Sequence, residues 1–156
     1  MEKVEDILKR TIDEIFEYID IEPSVSIFSE TDGDSTYSKV VIDGKNLSFL
    51  IGYRGESLMG LQNYLALVLF NQTNDWHRII VDINGYKDSR QEKLEDIARH
   101  AIDKVRFFRE EVEMHPMSSY ERRILHTFIS GYDDITTESI GEGRDRRVII
   151  KPKSFS

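Results

Sequence analysis

The segment Gly52-Tyr53-Arg54-Gly55 combines an arginine with two glycines three positions apart. Glycine permits a sharp turn and leaves room for close approach of a ligand, because it has no Cβ atom. The apolar-striped segment that follows predicts a helix, whose first N–H groups and positive dipole end would face the loop. A phosphodiester group suits this arrangement, with Arg54 supplying a positive charge. The alternative is a turn between two helices that needs the glycines for its backbone alone.

A second group with binding chemistry consists of Arg122 and His126, which stand four residues apart. On a helix this spacing puts both side chains on one face. That face lies about 110° from the centre of the apolar stripe, so both side chains can reach solvent at the edge of a core. A guanidinium is a fork-shaped phosphate donor, and an imidazole can also donate. The alternative is a solvated charged face that carries a histidine.

The first half of the chain contains the elements that would hold the glycine loop. Apolar residues at three- and four-residue spacing predict an amphipathic helix that Pro23 ends. Two short β-branched segments flank a turn-forming sequence and predict a β-hairpin. The resulting order is αββααβ, with elements near residues 4–19, 24–28, 37–42, 46–51, 56–70 and 77–83.

The second half predicts two more helices and a hairpin. A strong apolar stripe indicates a helix that starts near Asp88, and Ser118 or Ser119 can cap the helix that carries the arginine–histidine pair. A short strand is expected before Pro116. These elements lie near residues 88–110, 118–130, 135–140 and 146–151. The whole chain is therefore predicted to be α+β.

Composition excludes several classes of protein. Hydrophobic residues make up 39% and charged residues 32% of the 156, so we expect a packed core rather than disorder. The formal net charge of −8 argues against a protein that coats nucleic acid, so any such site must be local. The absence of cysteine excludes disulfides, thiolate metal sites and a cysteine nucleophile. No signal peptide or membrane span is evident, which predicts a cytoplasmic protein.

A glycine loop between two helices, after two strands and before a third, resembles a type II K-homology (KH) domain over residues 1–85. The resemblance implies that the backbone of about four nucleotides is clamped by Gly52, Tyr53, Arg54 and Gly55. A groove beside the loop would hold the bases, with Ile42, Ile51 and Leu58 as candidate wall residues. The alternative is that these three residues belong to the core. Tyr53 departs from the family, which favours small or basic residues there. It could stack on a base or cover the loop.

The arginine–histidine helix is followed by a Ser-x-Gly-x-Gly segment at 139–143 and by a basic strand that ends in Lys151-Pro152. This order is similar to the R-three-H domain, which is named for an arginine and a histidine separated by three residues and which binds single-stranded nucleic acid. The resemblance covers residues 86–153 and leaves 154–156 as a tail. It implies binding roles for Arg122 and His126, with Ser139 and Arg147 as neighbours on the sheet. The alternative role of the basic strand residues is protection of a sheet edge.

On these two motifs together, the chain is identified as a member of the bacterial Jag family, also called SpoIIIJ-associated proteins. The resemblance implies a bacterial RNA-binding regulator. We expect it to bind single-stranded RNA at both sites, without a cofactor or metal and without insertion into a membrane. Single-stranded DNA is the alternative ligand. A small KH-domain protein or a second copy of the chain is the implied protein partner. Many family members begin with a further small domain, so we expect a shorter member or a trimmed piece of one.

Two other classes of function compete with RNA binding. Catalysis is disfavoured because the four histidines lack metal-ligand spacing and the sequence contains neither a G-x-S-x-G nor a P-loop motif. We therefore predict that the protein is not an enzyme. A protein–protein adaptor with a KH-like scaffold is the main alternative, and both the net charge and Tyr53 favour it.

Overall fold

A computed structural model of the chain describes residues 2–154, which form two compact units with a boundary between Lys87 and Asp88. Each unit has its own hydrophobic core and its own three-stranded sheet. This mixture of helices and sheets confirms the predicted α+β class. Within the described range, no helix has the length and apolar character needed to cross a bilayer.

The first unit is a three-stranded sheet on which two helices pack. The strands lie in the order β1–β2–β3, with β1 and β2 antiparallel and β2 and β3 parallel. A parallel pair needs a long crossover connection, and the helices after β2 provide it. The elements follow the predicted αββααβ order: α1 Val4–Tyr18, β1 Ser24–Asp32, β2 Ser35–Asp43, α2 Ser48–Ile51, α3 Glu56–Thr73 and β3 Ile79–Ile83.

The core of the first unit forms from apolar residues spaced three or four positions apart in α1 and α3. The buried apolar side chains of these helices and of the facing strands are Ile7, Leu8, Ile12, Phe16, Leu58, Leu65, Leu69, Val40, Ile42, Ile79, Val81 and Ile83. Beyond the end of α3, Trp76 stacks on Phe70 with the ring centroids 4.4 Å apart. The core contacts of α3 hold this helix on the sheet, and the glycine loop lies directly before it.

The second unit packs two helices on an antiparallel sheet with the strand order β4–β6–β5. Apolar residues of both helices meet Val148 and Ile150 of the central strand. The first helix begins at Tyr86, two residues before the predicted start, and the short strand expected before Pro116 is present. The elements are α4 Tyr86–Phe108, β4 Val112–Glu113, α5 Ser119–Ile129, β5 Ile135–Ile140 and β6 Arg147–Pro152.

Candidate nucleic-acid interface

The loop between α2 and α3 has a backbone conformation that most residues avoid. Gly52 and Gly55 have φ angles of +71° and +80°, as the two-glycine pattern predicts. Arg54 also has a positive φ, +51°, which destabilises a residue that carries a Cβ atom by about 1–2 kcal/mol. Backbone strain of this kind concentrates at binding loops and active sites. Asp20 and Arg109 have similar φ angles just after ordinary helices, so the conformation of Arg54 is compatible with both a binding loop and a simple helix–helix turn.

Neighbouring side chains also require the two glycines. A Cβ atom at Gly52 would lie 2.2 Å from Oγ of Ser57, and a Cβ atom at Gly55 would lie 2.8 Å from Cε1 of Tyr86. Tyr86 lies after β3 at the end of the first unit, so this contact is made within that unit. The glycines are thus needed for the fold of the loop itself, in addition to any contact with a ligand.

Tyr53 and Arg54 form the outer surface of this loop. The Tyr53 residue is 69% exposed, and Cζ of Arg54 lies 4.9 Å from the centroid of its ring. A guanidinium at this distance is attracted to the face of the ring. Immediately after the loop, α3 begins with N–H groups that have no acceptor within the helix, although the N–H of Glu56 donates to the carbonyl oxygen of Tyr53. The loop therefore offers an exposed aromatic ring, a cation and backbone donors side by side.

Two of the three predicted groove walls belong to the core. Ile42 and Leu58 are 0% and 1% exposed, so neither can contact a base in this conformation. Their burial follows from their places in the inward row of β2 and on the inner face of α3. Ile51, the last residue of α2, is half-buried and packs against the same core. Of the three, Ile51 alone reaches the surface beside the loop.

In the second unit, the predicted cap at Ser118 starts the helix that carries the arginine–histidine pair. Oγ of Ser118 accepts a hydrogen bond from the N–H of Glu121 at 3.3 Å. Leu125 is fully buried on the inner face of α5. Arg122 and His126 are both half-buried at the edge of the core, as their helical spacing predicts.

His126 is bonded to β5 through both ring nitrogens. Nδ1 lies 2.6 Å from Oγ1 of Thr137, and Nε2 lies 2.8 Å from Oγ of Ser139. Burial, and in second place the charge of Arg122, lower the pKa of His126 below its ordinary value of 6.5. The imidazole is therefore neutral at pH 7 and joins α5 to β5. None of the sequence motifs predicts a role for Thr137. Its position two residues before Ser139 could have indicated one, because residues two apart in a strand lie on the same face.

Arg122 keeps more of its binding capacity than His126. Its Nη1 donates to the carbonyl oxygen of Met117 at 2.7 Å, which uses one of the five donors of a guanidinium. Among residues 2–154, Arg122 forms no ion pair with a carboxylate. The positive charge of this cluster therefore comes from Arg122.

A buried ion pair that no sequence pattern predicts joins α5 to α4. Glu121 is 2% exposed, and its carboxylate oxygens accept hydrogen bonds from Nε and Nη2 of Arg90 at 2.7 and 3.3 Å. This two-bond geometry restricts the orientation of both side chains. Because Glu121 precedes Arg122, the pair fixes the helical turn from which Arg122 extends. Local sequence patterns cannot predict this pair, because the two partners are 31 positions apart in the chain.

The structure separates two residues that were predicted to be neighbours on the sheet. Ser139 pairs with Val148 and faces the helices, whereas Arg147 pairs with Ile140 one position along. Successive residues of a strand point to opposite faces of the sheet, so Arg147 lies on the outer face. The structure therefore does not bring Arg147 to the cluster of Arg122, His126 and Ser139.

Two of the three cations of the predicted basic strand are paired with carboxylates, whereas Nη1 of Arg146 donates to the carbonyl oxygen of Gly141. The guanidinium of Arg147 binds Glu113, and the ammonium group of Lys151 binds Glu138. The hydrogen bond and the charge of Lys151 lower the pKa of Glu138, which keeps this carboxylate ionised. A phosphate would have to displace one of these carboxylates to bind Arg147 or Lys151.

The cluster on the inner face has the chemistry of anion recognition. It contains two hydroxyl groups and a neutral imidazole that are hydrogen-bonded to one another, and a guanidinium that supplies further N–H donors and one permanent positive charge. Residues 2–154 contain no group of three histidine or acidic side chains placed to hold a metal ion. A phosphate oxygen is the acceptor that best matches this set of donors.

Comparison with protein families identifies the second unit. Residues 92–152 match the family model of the R-three-H domain, as expected from the sequence. The chain contains an R-three-H domain. The matched range includes Arg122 and His126 as well as all three strands of the second sheet.

Curated relatives named RNA-binding protein KhpB align with both units. The relative from Clostridium symbiosum is 32% identical over 143 residues, which are 91% of this chain and 63% of the relative. The relative from Bacillus subtilis (strain 168) is 34% identical over 114 residues, which are 72% of this chain and 55% of the relative. The relative from Streptococcus pneumoniae serotype 2 is 28% identical over 136 residues, which are 87% of this chain and 40% of the relative. The chain therefore spans 63% or less of these relatives, none of which is named as an enzyme.

Proposed function

We propose that this chain is a cytoplasmic, bacterial RNA-binding regulator of the Jag type that binds single-stranded RNA without catalysing a reaction. The observation that carries the proposal is the extent of the alignment with a protein named for RNA binding, because 91% of the chain includes both units. The element order and the glycine loop of the first unit support a type II KH domain over residues 1–85. The R-three-H domain then occupies residues 86–153.

In the proposed first site, residues 52–55 contact the backbone of the RNA strand. Arg54 supplies charge to a phosphate, and the first turn of α3 supplies N–H donors. The exposed ring of Tyr53 provides a stacking surface for a base, which is a common mode of contact with unpaired nucleotides. Ile51 is the apolar side chain at the surface beside this loop.

In the proposed second site, Arg122 contacts another phosphate at the edge of the core of the R-three-H domain. The exposed Arg123 and Arg144 add positive charge to this domain. Each site alone is expected to bind weakly. Two sites on one chain bind more tightly, because the second contact forms within an existing complex. The negative charge of the remaining surface would confine RNA to these two places.

The test is binding of a labelled single-stranded oligonucleotide, measured by fluorescence anisotropy, with RNA and DNA of one sequence compared. Arg54→Gln and Arg122→Gln should each weaken RNA binding about tenfold, since each removes a charged hydrogen-bond donor. The double variant should lose more than either. Arg10→Gln in the first unit and Arg99→Gln in the second remove the same charge from exposed positions and should bind like the wild type. Unchanged binding by the first two variants would instead favour the adaptor function.

We further propose that a second copy of the chain binds the outer face of α3. Tyr64 and Leu67 are 50% and 57% exposed and share a helix face with Gly60. No atom lies within 4 Å of a Cβ atom built at Gly60, so this fold does not require a glycine there, whereas close approach of another helix would. Glu56 is the one charged residue of α3. Two such faces can therefore meet around a two-fold axis without like-charge repulsion.

Sedimentation velocity of the wild type and of Tyr64→Glu tests this contact. Tyr64→Glu should shift the protein from dimer to monomer, because it places two carboxylates in the contact. Tyr18→Glu makes the same change at a residue that is 92% exposed at the end of α1 and should leave the dimer intact. A monomeric wild type that dimerises only with a separate KH-domain protein would assign the face to that partner.

A further inference from the structure

The inward row of the second sheet is apolar except at two positions of β5. Ile135, Val148 and Ile150 are buried in the core, whereas Thr137 and Ser139 carry hydroxyl groups on the same face. Polar groups at the edge of a core are destabilising unless they are hydrogen-bonded. Both hydroxyl groups are within hydrogen-bond distance of His126, which accounts for their presence in this row.

The same contacts occupy the imidazole completely. A neutral imidazole has one N–H donor and one acceptor nitrogen, and a hydroxyl group can take either complementary role. The distances of 2.6 and 2.8 Å are those of well-formed hydrogen bonds. A phosphate could reach a ring nitrogen of His126 only by replacing Thr137 or Ser139. Arg122 stands one turn away on the same face and has four further N–H donors.

We infer that His126 is a positioning residue: its imidazole locks β5 to α5 through Thr137 and Ser139, and RNA is contacted by Arg122 and not by His126. This inference rests on the proposed function. It assigns RNA contact to Arg122 and a positioning role to His126. The hydroxyl groups of Thr137 and Ser139 then act together with the imidazole of His126. Removing the imidazole should therefore disturb the site as much as removing both hydroxyl groups.

A mutant cycle measured by RNA affinity tests the inference. His126→Ala and the double variant Thr137→Val/Ser139→Ala should weaken binding by similar factors, and the triple variant should be no weaker than either. None of these variants should change the slope of log affinity against log salt. Arg122→Gln is the matched comparison and should reduce the magnitude of that slope by about 0.7, the value for one phosphate on a single strand. Multiplying losses in the triple variant, or a reduced slope in His126→Ala, would overturn the inference.

Nuclear magnetic resonance of the wild-type protein gives a test that needs no substitution. The ring nitrogens of His126 should show one neutral tautomer, and their resonances should stay in place when saturating single-stranded RNA is added. The Nε–H resonance of Arg122 should move. Movement of the His126 nitrogens toward imidazolium values, with Arg122 unaffected, would reverse the two assignments.

A failure of the proposed function gives a different result from a failure of this inference. If the wild type binds no RNA, the proposed function is wrong, and the thermal unfolding midpoints of the same variants then test whether His126 joins β5 to α5. The inference is supported if the triple variant loses less in midpoint than the sum of the losses of His126→Ala and Thr137→Val/Ser139→Ala. Additive losses contradict it.

Discussion

Arg122 and His126 share one face of α5, yet their side chains have different capacities. His126 has both ring nitrogens bonded to β5, and Arg122 gives one donor to the carbonyl oxygen of Met117. The four-residue spacing predicts that the two share a face and lie at the edge of the core. It does not predict their partners, because Thr137 and Ser139 come from a separate strand whose register the local sequence does not determine.

The depressed pKa of His126 predicts how stability depends on pH. Because the folded state lowers this pKa below its unfolded value of 6.5, the unfolded chain binds a proton more readily. The stabilising contribution of the neutral imidazole is therefore complete above the unfolded pKa and is lost as the pH falls through the folded pKa. We expect the thermal unfolding midpoint of the wild type to exceed that of His126→Gln at about pH 8, and this difference to shrink by about pH 5. A difference between the two proteins that stays constant with pH would contradict the half-buried, neutral state of the imidazole.

At the scale of elements, the α2–loop–α3 segment shows what local sequence does and does not determine. The apolar stripe and the two glycines predict the long helix and the tight loop, and both are confirmed. The left-handed conformation of Arg54 and the contact of Gly55 with Tyr86 were not predictable. Tyr86 lies beyond β3, so its contact depends on how the whole first unit packs.

Two glycine-to-alanine substitutions should have opposite effects on the stability of the first unit. Gly52→Ala should destabilise it by about 2–3 kcal/mol, because the backbone there suits glycine alone and the new Cβ meets Ser57. Gly60→Ala lies within α3 with open space around it and should stabilise by about 0.5–1 kcal/mol. Urea unfolding at low protein concentration measures both while self-association stays small. Equal effects of the two substitutions would contradict the described loop conformation.

At the scale of the whole molecule, the arrangement of charge matters more than its total. Residues 116–156 contain seven basic and six acidic side chains, and the sequence predicts a basic patch there on one helix and one strand. In the structure, Arg147 and Lys151 of that strand are paired with Glu113 and Glu138. Pairing between strands depends on register and on the direction of each side chain, so counting charges along the chain overestimates the charge available to a ligand.

The salt dependence of RNA binding should reflect this reduced number of cations. Contacts from Arg54, Arg122, Arg123 and Arg144 would neutralise two to four phosphates, which gives a slope of about −1.4 to −2.8 for log affinity against log salt. Arg147→Gln should leave both slope and affinity unchanged. Titrations at several potassium chloride concentrations measure these slopes. A slope that becomes shallower in Arg147→Gln would show that RNA displaces Glu113 and recruits the outer face of the sheet.

The stacking of Trp76 on Phe70 has a practical consequence, because this indole is the single tryptophan of the chain and belongs to the first unit. Its emission spectrum reports the loss of structure around β3 and the end of α3, while the R-three-H domain has no indole of its own. Far-ultraviolet circular dichroism detects the helices of both units. Recording the two signals on one sample would show whether the units melt together or one after the other.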